Sequence, residues 1–168
     1  MKTVLLTASL LGITLTTTAR ADHQNGNLRA FESVCPTLAF EAMEREDEAQ
    51  FDRLGQEMLA LLQEAKIPVA KSGCRENGIT RNRQLNLVFD FSSTKSGGAY
   101  LGTLEGWLHK EGLYSAPTVW SDTYYGATPG TPNRASLNRI SMDVLHRLME
   151  RFIEDWDLSH AADMTAHH

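Results

Sequence analysis

The sequence predicts an α+β domain: a two-layer sandwich with two helices packed on one face of a four- to five-stranded, mostly antiparallel sheet. Two stretches carry apolar residues at the three-and-four spacing of a buried helix face. Between them, shorter stretches alternate apolar with polar residues and end at turn residues. The predicted order of strand, helix, strand, hairpin, strand and helix is typical of an α+β fold.

The first 21 residues have the composition of a cleavable secretory signal peptide. Lys2 is followed by an apolar run from Val4 to Leu15 and by Ala19-Arg20-Ala21, a small-x-small site that predicts cleavage after Ala21. The alternative is a membrane anchor, but this run of about twelve residues is shorter than the roughly twenty that a spanning helix needs. We therefore expect a secreted protein, periplasmic if the cell has an outer membrane, with no membrane span in its mature form.

The rest of the chain is long enough for one domain. We expect a polar leader at residues 22–36, a single domain at 37–158 and a polar, histidine-bearing tail at 159–168. Removal of the signal peptide takes away Lys2 and Arg20 and moves the formal charge from −5 to about −7. This acidity argues against a nucleic-acid partner and against binding to anionic membranes, since both need basic surface.

The first half of the predicted domain contains a strand, a helix and a second strand. Leu38 to Met43 is the first strand, and Asp47 to Ala65 is a helix that Pro68 stops after Ile67. The apolar face of this helix carries Phe51, Leu54, Met58, Leu61, Leu62 and Ala65. Ile67 to Lys71 is a short strand candidate.

The middle of the chain predicts three antiparallel strands. Gln84 to Phe91 alternates well, and a Ser- and Gly-rich turn from Ser92 to Gly98 joins it to Ala99 to His109. A third strand extends from Tyr114 to Tyr125.

The second helix is predicted from Asn133 to Asp157. It follows the breaker Thr128-Pro129-Gly130-Thr131-Pro132. Its apolar stripe consists of Leu137, Ile140, Val144, Leu145, Leu148, Phe152 and Trp156.

Two cysteines, Cys35 and Cys74, remain in the mature chain. An even count in an oxidising compartment predicts a disulfide between them. A redox or metal pair and two free thiols are the alternatives. One conflict stands against the bridge: a strand–helix–strand crossover makes its strands parallel, which would place the two cysteines at opposite ends of the sheet.

No catalytic motif is convincing, and we predict a protein that is not an enzyme. Ser92-Ser93-Thr94-Lys95 matches the S-x-x-K pattern of penicillin-recognising enzymes, but the serine follows a strand instead of opening a helix. A plain hairpin loop explains these residues better. A hydrolase is a distant third hypothesis.

Aromatic residues of the third hairpin strand are candidate partner-binding residues. Trp120, Tyr124 and Tyr125, with Trp107 and Tyr114 nearby, would suit a protein hot spot or a sugar platform. Packing under a helix is the alternative for all of them. Tyr124 and Tyr125 are adjacent and therefore point to opposite faces, so one of the two should be outside.

Four basic residues form a candidate anion patch in the loop before Gln84. They are Lys71, Arg75, Arg81 and Arg83. A solvated loop without a ligand is the alternative.

Histidines near both ends of the mature chain suggest a metal-binding alternative. Imidazole, carboxylate and amino-terminal nitrogen are ligands that copper or zinc accept. The candidate ligands are His23, His160, Asp163, His167 and His168. The simpler explanation is a polar tail that contains histidines, and our main prediction includes no cofactor.

In its pattern the chain resembles small exported bacterial proteins of unknown function. The resemblance rests on the signal peptide, the early amphipathic helix, the strand Gln84 to Phe91, the segment Trp120 to Gly126 and the terminal helix with Phe152 and Trp156. This resemblance implies an exported α+β domain and no particular site residue. The leading hypothesis is an exported, non-enzymatic binding or accessory protein that recognises a protein or cell-envelope ligand. The alternative is a periplasmic protein that handles copper or zinc.

Overall fold

The computed structural model describes residues 27–70, 83–108 and 118–164. Residues 162–164 are described by their backbone alone. Within these ranges the chain forms β1 (Ser33–Glu41), α1 (Glu48–Glu64), β2 (Gln84–Ser93), β3 (Ala99–Trp107), β4 (Thr118–Ala127) and α2 (Arg134–Met164). The sheet order is β1-β2-β3-β4, with β1 parallel to β2 and the other two neighbouring pairs antiparallel. The predicted α+β class, with two helices on a mostly antiparallel sheet, is confirmed.

The boundaries of α1 follow from hydrogen bonds at its two ends. Asp47 is the N-cap, and its Oδ1 accepts a hydrogen bond from the Gln50 N–H at 3.1 Å. At the other end, Lys66 adopts a left-handed φ of 58° and the Ile67 N–H donates to the Leu62 carbonyl at 2.9 Å. This is a Schellman termination. The helix therefore ends before Ile67, and the prediction that Pro68 stops it was wrong.

The segment after α1 is not a full strand. Val69 makes an isolated parallel bridge to Val34, with hydrogen bonds from the Val34 N–H to the Pro68 carbonyl and from the Ala70 N–H to the Val34 carbonyl. The predicted strand Ile67 to Lys71 is thus reduced to a single bridge in its described part. Its place beside Val34 puts the chain next to the start of β1, not the end.

The core lies between the sheet and both helices. Leu85, Leu87, Phe89 and Phe91 of β2 are fully buried, as their alternation predicts. All seven residues of the predicted stripe on α2 are also buried. On α1 the prediction fails for one residue: Phe51 is 43% exposed, because it lies outside the buried set Gln50, Leu54, Met58 and Leu62.

Close packing of α2 on the sheet depends on Gly102 of β3. A Cβ atom at this position would collide with Cγ1 of Val144. The glycine therefore lets the helix lie nearer to the sheet than a side chain would allow.

The predicted leader and tail both belong partly to the folded structure. Leu28 and Phe31 are each 1% exposed, and β1 begins at Ser33, within the range predicted for the leader. The predicted tail begins inside α2, where Ser159 is 3% exposed. The physical reason is that the leader contributes apolar side chains, and the helix continues beyond its apolar stripe.

Candidate functional site

One face of the sheet is left open by the helices. Alternation along each strand places one set of side chains under α1 and α2 and the other set on the opposite side. We call twelve of these outward residues the open face, and none of them is buried: Thr37, Ala39, Glu41, Val88, Asp90, Ser92, Leu101, Thr103, Glu105, Ser121, Thr123 and Tyr125. In the described part of the chain, this face is the broadest exposed surface of the sheet.

The apolar part of the open face is a pair of neighbouring side chains. Leu101 of β3 and Tyr125 of β4 are cross-strand partners in the antiparallel register. Leu101 is 42% exposed and Tyr125 is 78% exposed. Aliphatic and aromatic side chains exposed together are the type of contact that protein interfaces bury at their centre.

The charged part of the open face is entirely acidic. Its charged residues are Glu41, Asp90 and Glu105, and no Lys, Arg or His is among the twelve. Asp90 pairs with Thr103 and Glu105 with Val88, so the two carboxylates are diagonal neighbours on adjacent strands. Partial burial, and then the charge of Glu105, raise the pKa of Asp90 above its ordinary value.

An indole group holds Glu105 in place. The Trp107 Nε1–H donates to Glu105 Oε2 at 2.6 Å, along the same face of β3. Asp90 brings a second negative charge to the same area. Asp90 and Glu105 therefore form an acidic region beside the Leu101–Tyr125 pair.

The three predicted partner-binding residues have different environments. Trp120 is 6% exposed, its ring packs edge-on against Phe152, and its Nε1–H donates to Asp155 at 2.8 Å. Trp120 is therefore a core residue, as the alternative explanation held. Tyr124 is half-buried and stacks with Tyr100, which leaves Tyr125 as the exposed member of the adjacent pair.

A shallow cleft lies on the opposite side, between β4 and α2. It is lined by Tyr124, Arg147, Leu148, Glu150 and Arg151. The Arg147 guanidinium lies 5.4 Å from the centre of the Tyr124 ring, and Arg151 forms an ion pair of 2.8 Å with Asp122. Both guanidinium groups already have partners and Glu150 adds a negative charge, so this cleft is poorly suited to an anion.

The outer edge of β4 is partly closed by side chains. Asp122 Oδ1 accepts a hydrogen bond from the Thr123 N–H at 2.7 Å, and Arg151 holds the other oxygen of the same carboxylate. Nearer the start of the strand, Asn27 Nδ2 donates to the Val119 carbonyl at 3.0 Å. These contacts occupy backbone groups that an added strand would need. The open face is therefore a better candidate for docking than this edge.

The predicted anion patch is described at one residue only. Arg83 forms a 2.7 Å ion pair with Glu32, and both side chains are exposed. Lys71, Arg75 and Arg81 lie outside the described residues. The patch as a whole stays a prediction.

The predicted metal ligands are likewise described only at His160. Its Nδ1 lies 2.8 Å from the Trp156 carbonyl oxygen and its Nε2 lies 2.9 Å from the Phe31 carbonyl oxygen. A metal ion at His160 would have to replace one of these contacts. Among the residues described with side chains, no group of three His, Cys, Asp or Glu residues could hold a metal ion. The other predicted ligands, His23, Asp163, His167 and His168, fall outside that part.

Cys35 is buried on the outward side of β1, opposite Asn86 of β2. It is 4% exposed and disulfide-bonded, and no described cysteine is a free thiol. Its predicted partner, Cys74, lies outside the described residues.

Sequence reasoning named only Tyr125 of the open face and missed the residues that give this face its charge and its apolar contact: Leu101, Glu41, Asp90 and Glu105. The signal that could have found them is the register of the predicted hairpin. Once Ser92 to Gly98 is taken as the turn, alternation places Asp90 and Glu105 on the face opposite to Phe89 and Phe91.

Among the described residues, neither helix combines the length and the apolar character needed to cross a membrane. A scan against protein-family models finds no match to this chain, and a search of the curated proteins finds none either.

Proposed function

We propose that this chain is an exported, non-enzymatic binding protein that recognises a protein or cell-envelope ligand through the open face. The observation that carries this proposal is the exposed Leu101–Tyr125 pair on a sheet face that the described helices leave uncovered. A broad sheet surface with an exposed apolar pair suits a macromolecular ligand better than a small substrate, which needs a concave site.

Export is supported by the sequence of residues 1–21. The test compares the full chain with a version in which residues 2–21 are deleted, each expressed in a bacterium with two membranes. We expect the full chain in the periplasm, with an amino terminus at Asp22, and the shortened chain in the cytoplasm. An uncleaved full-length product in the cytoplasm would refute export.

A disulfide between Cys35 and Cys74 is part of the same proposal. Cys74 is the only other cysteine in the chain, and Val69 bridges to Val34, the neighbour of Cys35. Cys74 is five positions after Val69, and a chain of this length spans up to about 17 Å, more than the roughly 6 Å between the Cα atoms of bridged cysteines. The place of Val69 beside Val34 therefore supports this pairing in spite of the parallel crossover. Mass spectrometry of non-reduced, alkylated peptides should find these two cysteines linked.

Site-specific crosslinking tests the binding surface. A photoreactive phenylalanine analogue would replace Tyr125 in one variant and Phe51 in a control, since Phe51 is 43% exposed on the helical side of the molecule. In cells that naturally produce the chain, we expect a discrete crosslinked product from position 125 and none from position 51. Equal products from both positions, or none from position 125 in the native compartment, would refute recognition through the open face.

A further inference from the structure

We propose that the open face binds a cationic segment of a protein, one in which Lys or Arg residues flank apolar side chains. This inference deepens the proposed function and rests on it for the existence of a partner. Its basis is the combination of three carboxylates, no basic residue and one exposed apolar pair on a single surface.

The charges are arranged beside the apolar pair, not around it. Glu41, Ser92, Leu101 and Tyr125 follow one another across the four strands in register. Asp90 lies at the next outward position of β2, two residues before Ser92. Glu105 lies two outward positions along β3, four residues after Leu101. The carboxylates therefore occupy the side of β1, β2 and β3, while the apolar contact lies over β3 and β4.

The acidic side has unfavourable interactions that a cation would relieve. Asp90 and Glu105 are diagonal neighbours of like charge, within reach of each other across the two strands, and they therefore repel. The pKa of Asp90 is raised first by its partial burial and second by the charge of Glu105. The indole of Trp107 fixes Glu105 through one oxygen, which keeps the carboxylate on this surface. A Lys or Arg of a partner would neutralise charges that the open face itself leaves uncompensated.

The size of the surface argues for a chain segment instead of a small cation. Four strands at about 4.8 Å spacing make the row from Glu41 to Tyr125 about 14 Å wide. An isolated ammonium ion could contact the carboxylates but could not cover Leu101 and Tyr125 as well. A segment with both kinds of side chain covers both regions.

The same charges disfavour two other occupants. A second copy docked through the same face would place its three carboxylates against these three, which costs energy in an isologous contact. An anionic membrane surface would likewise be repelled. A cationic protein segment is the occupant that matches both the charge and the apolar pair.

The test uses the purified chain and two ten-residue peptides, one alternating lysine with leucine and one alternating glutamate with leucine. We expect the lysine peptide alone to bind, with NMR shift changes at residues 88–92, 101–105 and 121–125. Its affinity should fall about tenfold in the double variant D90N/E105Q, since each exposed ion pair contributes up to about 1 kcal/mol. It should change less than twofold in D52N/E64Q, which removes two exposed carboxylates from α1.

Several results would overturn this inference. They are equal losses in the two double variants, shift changes centred on the helices, or equal binding of the glutamate peptide. Binding of the lysine peptide to the unaltered chain should also weaken as salt rises from about 50 to 500 mM, because ions screen exposed charges. This readout does not depend on the folding of any variant.

A crosslinking arm separates this inference from the proposed function. D90N/E105Q combined with the photoreactive residue at position 125 should give a much lower yield of the crosslinked product than the photoreactive residue alone. The crosslinked peptide of the partner should contain Lys or Arg. An unchanged yield would refute cationic recognition and leave the proposed function standing, whereas no product even with Asp90 and Glu105 intact would refute the proposed function itself.

Discussion

Substitution of Gly102 by alanine should destabilise the protein through its contact with α2. The new Cβ would collide with Val144, and overpacking of this kind costs about 1–3 kcal/mol. Replacing glycine also reduces the freedom of the unfolded chain, which favours the variant by about 0.4–1 kcal/mol. The collision is the larger effect, so G102A should lower the free energy of unfolding by about 1–2 kcal/mol.

A double-mutant cycle isolates this contact. V144A alone removes two methyl groups from a residue that is 1% exposed, and should cost about 1.6 kcal/mol or more. In G102A/V144A the new methyl group fits into the space that valine leaves, so the double variant should be more stable than additivity predicts by about 1 kcal/mol. Urea unfolding followed by circular dichroism measures all four proteins. Additive losses, or a G102A variant as stable as the parent, would refute the packing argument.

Four further predictions follow from individual contacts, each measured as a midpoint of urea unfolding. Y125A should change the free energy of unfolding by less than about 0.5 kcal/mol, whereas W120A should lower it by about 3–5 kcal/mol. Similar losses in the two variants would contradict the assignment of Tyr125 to the surface and Trp120 to the core. D90N should raise the midpoint at pH 7 but not at pH 2. The raised pKa of Asp90 means that the folded state disfavours the ionised carboxyl, and this cost is absent when the carboxyl is protonated. A stabilisation that persists at pH 2 would refute this cause. D47A should lower the midpoint at pH 7 and have little effect at pH 2. A hydrogen bond from Asn138 and then one from the Gln50 N–H lower the pKa of Asp47, so its ionised carboxyl stabilises the fold until the pH falls through the lowered pKa. Equal losses at both pH values would exclude this cause. Reduction of the disulfide at Cys35 should cost about 2–5 kcal/mol, and a reduced protein that unfolds at the same urea concentration would show that the bond is not structural.

Much of the fold could be predicted because its periodic patterns are strong. The alternation in Gln84 to Phe91 identified β2 and its buried face, and the seven apolar residues of α2 were all correctly placed. The start of β1 was missed because Pro36 weakens a strand prediction. In the structure β1 is an edge strand, where a missing N–H is tolerated.

The candidate site was only partly predictable. Alternation showed that Tyr124 and Tyr125 point to opposite faces, but the inner face is chosen by where α1 and α2 pack, which depends on contacts distant in sequence. For the same reason Trp120 was wrongly included among the surface candidates. The end of α2 was missed because His160 is polar, and its contact with the Phe31 carbonyl joins segments that are 129 residues apart.

The contact between His160 and Phe31 and the one between Asn27 and the Val119 carbonyl bear on where a label can be attached without covering the open face. The Asn27 contact is made near the beginning of β4, and the His160 contact joins a late turn of α2 to Phe31, four residues after Asn27. Tyr125 lies six residues further along the strand, a distance of about 20 Å. A dye coupled at Asn27 would therefore lie far from the Leu101–Tyr125 pair and leave that end of the open face accessible.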